Sequence, residues 1–122
     1  MEVEFKETHI LSWVAKTTEV NGKKENQCQV FNHTGVLIRQ PTFKKEWRNG
    51  IDKSWYENSQ LMTLSMFIDD KLKGMYLSWH PNGVMKHKGM YIDNIPVGVH
   101  IHWNEEGEIT EEINHDNRVD EN

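Results

Sequence analysis

Histidine is the residue type in this chain most able to do chemistry. His100 and His102 are separated by one residue. On a strand that spacing sends both imidazoles to one face, opposite Trp103. A hairpin turning at Asn94 to Pro96 would bring His87 close to His102, and three imidazoles on one face can hold zinc. The pairing register decides this, because a slip of one residue moves His87 to the other face. A polar, solvent-facing sheet surface accounts for the same residues without any metal, and the chain is read as having no resident metal or cofactor. Cys28 is the only cysteine, which leaves no disulfide framework and no thiolate zinc site within one chain. It carries no local nucleophile motif, and the glycines recur at turns instead of forming a phosphate loop. The expectation is a protein with no catalytic residues.

Binding is the better use of these side chains. Tyr56, Tyr76, His80, His100 and His102 fall on the side of their strands opposite a row of tryptophans. Exposed, flat surfaces of amphipathic rings suit protein contacts. Charge adds a second candidate. The net charge is −5, yet Glu105 to Asn122 alone holds eight acids and one base, a local charge of −7, which leaves +2 for residues 1–104. Glu111, Glu112 and Asp116 lie in this acidic segment and join the candidate partner-binding set. Such a segment is solvated by default, and it also complements a basic surface on another protein. Lys44, Lys45, Arg48 and Lys53 form a modest basic cluster, but the negative total argues against nucleic acid as the partner and weakens the case for membrane lipid.

These residues must be positioned by something regular, and the chain is regular. Trp55, Trp79 and Trp103 are evenly spaced, and the same interval separates Gly50, Gly74 and Gly98, and Gly35, Ser59, Gly83 and Gly107. Phe31 extends the tryptophan column backward. Leu37, Leu61, Met85 and Ile109 keep the same step, and Phe43, Phe67 and Tyr91 form a further column that His115 ends. Five columns in one register define repeats. The clearest unit is GMYLSWHPNGVMKHKGMYIDNIPV, from Gly74 to Val97. Met75 to Trp79 alternates like a strand. His80-Pro81-Asn82-Gly83 supplies turn chemistry, Val84 to Ile92 reads as the return strand, and Asp93 to Pro96 is a second turn. Two strands per unit with short connections predict an antiparallel meander. The fold class is therefore all-β: hairpin repeats of ~24 residues forming one elongated, twisted sheet. The whole chain, 1–122, reads as a single repeat domain. Units fall at 26–49, 50–73, 74–97 and 98–121, with an acidic tail from about 114. Residues 1–25 read as cap strands, with Trp13 as a core anchor and a turn at Val20 to Lys24, shielding an open sheet edge. Phe31, Trp55, Trp79 and Trp103 are expected along the buried face.

The pattern of Gly74, Tyr76, Trp79, Asn82-Gly83, Met85, Tyr91, Asp93-Asn94 and Gly98 resembles the variant MORN repeat. The resemblance runs over about residues 26–115. Ser59 stands for the turn glycine of one unit and Asn26 for an opening glycine, while Asp52 and His100 occupy the place of Tyr76. The variant occurs in bacterial proteins often described as the antitoxin component of a toxin–antitoxin system. It implies a long antiparallel sheet and a role in binding rather than catalysis. The resulting expectation is a cytoplasmic inhibitor or antitoxin-like protein, one that a phage or mobile element could encode, covering a partner protein with a basic surface. The alternative is a MORN-like scaffold that self-associates as a homo-oligomer or attaches to membrane lipid. The N-terminus, Met1 to Glu7, lacks the basic and apolar regions of a signal peptide, which underlies the cytoplasmic expectation.

Overall fold

The computed structural model describes residues 15–19 and 25–116, and these form one antiparallel sheet without helices. Its strands are β1 (Ala15–Glu19), β2 (Glu25–Phe31), β3 (Leu37–Gln40), β4 (Thr42–Lys44), β5 (Trp47–Arg48), β6 (Gly50–Trp55), β7 (Leu61–Ile68), β8 (Lys71–Leu72), β9 (Gly74–Trp79), β10 (Met85–Ile92), β11 (Ile95–Trp103) and β12 (Ile109–Asn114). The order across the sheet is β12-β11-β10-β9-β7-β6-β3-β2-β4-β5, with β1 on β2 and β8 on β7. β3, β7, β10 and β12 begin at Leu37, Leu61, Met85 and Ile109, the members of one sequence column. The sequence period is thus the spacing of successive hairpins.

Each hairpin turns in the same way. Gly35, Gly83 and Gly107 adopt φ of 90°, 91° and 87°, and Ser59 takes the equivalent place at 70°. The turn amide of each donates to the residue three before it: Asn32, Tyr56, His80 and Asn104 accept at 2.9 to 3.0 Å. The opposite ends close with two-residue turns, Asp69-Asp70 and Asp93-Asn94, with φ between 50° and 73°. Those values suit the mirror-image turns that follow strand twist, which Asp and Asn tolerate better than most residues. This second turn is shorter than expected, because Ile95 and Pro96 already belong to β11.

Successive hairpins are tied by side chains as well as by ladders. The Tyr56 hydroxyl donates to the Trp79 carbonyl at 2.7 Å, and His80 Nε2 lies 2.9 Å from the Trp103 carbonyl. Asn58 Nδ2 donates to the Pro81 carbonyl and Asn82 Nδ2 to the Glu105 carbonyl. At the other ends of the hairpins, the Leu72 amide donates to Asn94 Oδ1 and the Gly98 amide to Asp116 Oδ1. Each such bond contributes about 1 kcal/mol net.

The distribution of burial corrects one expectation. Phe31, Trp55, Trp79 and Trp103 are only half-buried, and Ile51, Met75 and Val99 on their face are exposed. The protected positions face the other way: Asp52, Ser65, Ser78 and His100 are all buried. A single sheet has no second layer, so a side chain is shielded only by neighbours on its own face. Those neighbours cover one face, here called inner, more closely than the other, the outer. The tryptophan row marks the outer side here. Cys28 is fully buried, and burial pushes its thiol pKa up. The cap residues 1–14, including Trp13, the turn at 20–24 and the tail from 117 lie outside the described residues.

Candidate functional site

The inner face is built from two interleaved columns. One runs Cys28, Asp52, Tyr76, His100, and the other Arg39, Thr63, His87, Glu111, each at the repeat interval. Where the columns meet, polar pairs form. Arg39 Nη2 donates to Asp52 Oδ2 at 2.8 Å between β3 and β6. Two repeats later the same position holds His87 Nε2 and His100 Nδ1, 3.0 Å apart between β10 and β11. The repeat therefore keeps the place and changes the chemistry, from an ion pair to an imidazole pair.

The imidazole cluster is extensive. His100 Nε2 lies 3.0 Å from the Met90 carbonyl and must donate to it. With both rings neutral, His100 Nδ1 is then the acceptor and His87 Nε2–H its donor. His87 stacks on His102 with ring centroids 4.2 Å apart, its direct partner in the β10–β11 register. His115 and Tyr91 meet His100 edge-on, and Tyr76 tilts against His87. His87 is pushed down to about 4, chiefly by burial and then by the neighbouring His102, His100 and His115. Gly89 makes room for this packing, since a Cβ there would run into the His100 ring.

Beside the cluster opens a cleft of about 300 Å³. Tyr56, Thr63, Tyr76, Lys86, His87 and His102 line it, with Met62, Ser78 and Trp79. Of the residues singled out in the sequence, Tyr56, Tyr76 and His102 meet here. His100 does not reach the surface: at 2 % exposure it lies beneath the other rings, which corrects its place on an exposed ring surface. The ring fills the space that Gly89 leaves without a side chain. The Tyr56 hydroxyl and His80 Nε2 are used in the ties between hairpins. Glu111 and Glu112 are both exposed but point to opposite faces, pairing His102 and Ile101 respectively. Asp116 is exposed and holds the Gly98 amide.

Sequence reading missed Lys86, Gly89 and the Arg39–Asp52 pair. The signal for the pair was available as a second, shorter spacing inside the period, shared by positions 39/52 and 87/100. His87 was weighed only as a zinc ligand. Among the described residues no group of three His, Cys, Asp or Glu has an arrangement that could hold a metal ion. The stacked rings and the direct His87–His100 bond explain why: the nitrogens bind each other instead of converging on a common point.

An open sheet of hairpins, with a cleft on one face and exposed apolar side chains on the other, defines an all-β repeat module. Residues 72–93 match the MORN repeat variant. The matched stretch runs from β8 through β10 to the Asp93-Asn94 turn. No curated protein and no solved structure matches the chain.

Proposed function

We propose that the chain is a non-enzymatic protein-interaction module that inhibits another protein, in the manner of an antitoxin, by covering a basic functional surface. The observation that carries this reading is the charge of the last hairpin. Glu105, Glu106, Glu108, Glu111, Glu112 and Asp116 are all exposed, and no Lys or Arg lies between Asn104 and Asp116. β12 is also the end strand of the described sheet, paired on one side to β11. A concentrated charge on a rigid edge steers a cationic partner and raises the association rate. The adjoining cleft supplies rings that would be desolvated on docking.

The test is capture of a partner from cytoplasmic extract, followed by kinetics with that partner purified. The reading expects a one-to-one complex whose association slows as salt rises. It also expects Glu106→Lys with Glu111→Lys to slow association by about tenfold, with little change in folding. Binding indifferent to both salt and charge reversal would end it. The scaffold alternative is supported by the exposed outer face, and sedimentation with anionic lipid vesicles distinguishes it from an inhibitor of a soluble protein.

A further inference from the structure

The outer face holds a pattern that the inhibitor reading does not use. Across β6, β7, β9, β10, β11 and β12 one row of side chains runs Lys53, Leu64, Leu77, Lys88, Ile101, Glu112, each paired to the next in the strand register. A parallel row of exposed apolar residues, Ile51, Met66, Met75, Met90 and Val99, lies beside it. The first row has a cation at one end and an acid at the other, with its midpoint between Leu77 and Lys88.

We propose that two copies of this chain pack these outer faces together about a two-fold axis that runs parallel to the strands between β9 and β10. Such an axis exchanges β6 with β12, β7 with β11, and β9 with β10. It sets Lys53 against Glu112 of the second copy at both ends of the interface, and Leu64 against Ile101. A lipid surface or an unrelated protein has no reason to match a row that is complementary to its own reversal. An isologous dimer requires that match.

The size of the face is adequate. Six strands at about 4.8 Å and three rows of side chains at about 6.8 Å give ~600 Å² per copy, or ~1,200 Å² in total, the lower bound of specific interfaces. Two layers packed this way form a sandwich, the ordinary means by which an antiparallel sheet covers an apolar face. Lys88 is the one poor fit: it stands beside the axis opposite Leu77, so the dimer brings two ammonium groups to the middle of the face, where they lose water without gaining a partner. Replacing it should therefore tighten the dimer.

The experiment is sedimentation equilibrium of the full chain, combined with zero-length carbodiimide coupling. Within one copy Lys53 and Glu112 are five strand spacings apart, about 24 Å, so a coupled Lys53–Glu112 pair can arise only between copies. The proposal expects a dimer and that cross-link. Lys53→Glu and Glu112→Lys should each weaken the dimer by about tenfold, because symmetry strikes two contacts at once, and the double reversal should restore it. Lys88→Met should strengthen it. A monomer at tens of micromolar overturns the proposal, as does a dimer unmoved by either reversal or one that appears only on lipid vesicles. Lys53 lies outside the acidic hairpin, so the effect of Lys53→Glu on the dimer and that of Glu106→Lys/Glu111→Lys on the partner are read separately.

Discussion

At the scale of single residues, His87 makes one contribution to stability depend on acid. His87 is neutral in the folded chain and pushed down to about 4, below the usual 6.5. Unfolding frees it to take up a proton between those values. Its contribution to stability is therefore complete above about pH 6.5 and is lost as pH falls toward 4. Urea unfolding at about pH 7.5 and about pH 4.5 should show the loss, and His87→Gln should flatten the slope. Gly89 is the most constrained backbone position in the cluster. Gly89→Ala places a methyl inside the His100 ring and should destabilise by about 3 kcal/mol, measured by the same unfolding. Ser59 is the opposite case. It holds φ of 70° where the other three hairpins use glycine, so Ser59→Gly should stabilise by about 0.5–1 kcal/mol.

At the scale of elements, the hairpin is a local unit whose strength depends on its neighbour. Tyr56→Phe removes the hydroxyl that reaches the Trp79 carbonyl, and should cost about 1 kcal/mol with no change in circular dichroism. This scale is also where the sequence was most legible. The evenly spaced columns dictate strand order, turn positions and antiparallel pairing, because glycine and asparagine at turns and rings on strands are local demands. The faces were assigned correctly by alternation: Tyr76 and His100 do lie opposite the tryptophans. The depth of each face was not readable. Alternation says which residues share a side, but the shielding of that side depends on how the sheet bends. Ser65 and Ser78 look like surface residues in sequence and are buried only because neighbouring hairpins crowd over them. The candidate site was partly visible for the same reason. Tyr56, Tyr76 and His102 could be placed on one face, whereas the cleft beside them depends on two columns crossing at an offset that no single strand contains.

At the scale of the whole molecule, a one-layer ribbon spreads its contacts along one dimension, and its stability is close to a sum over neighbouring hairpins. A change in one hairpin is therefore felt chiefly by the hairpins beside it, which leaves the last one free to carry a dense charge without unsettling the middle of the sheet. On the proposed reading the acidic last hairpin acts as an electrostatic lure and the inner cleft offers rings to a docking surface, while the outer face carries exposed apolar side chains between a few charges. The claim on which the account depends is that the final hairpin recruits a basic protein. The most direct measurement is the association rate of the purified partner as ionic strength is raised, with the native chain and with Glu106→Lys/Glu111→Lys. The account predicts a steep fall with salt for the native chain and a slow, nearly salt-independent rate for the variant. Equal rates for the two chains at every ionic strength would contradict it.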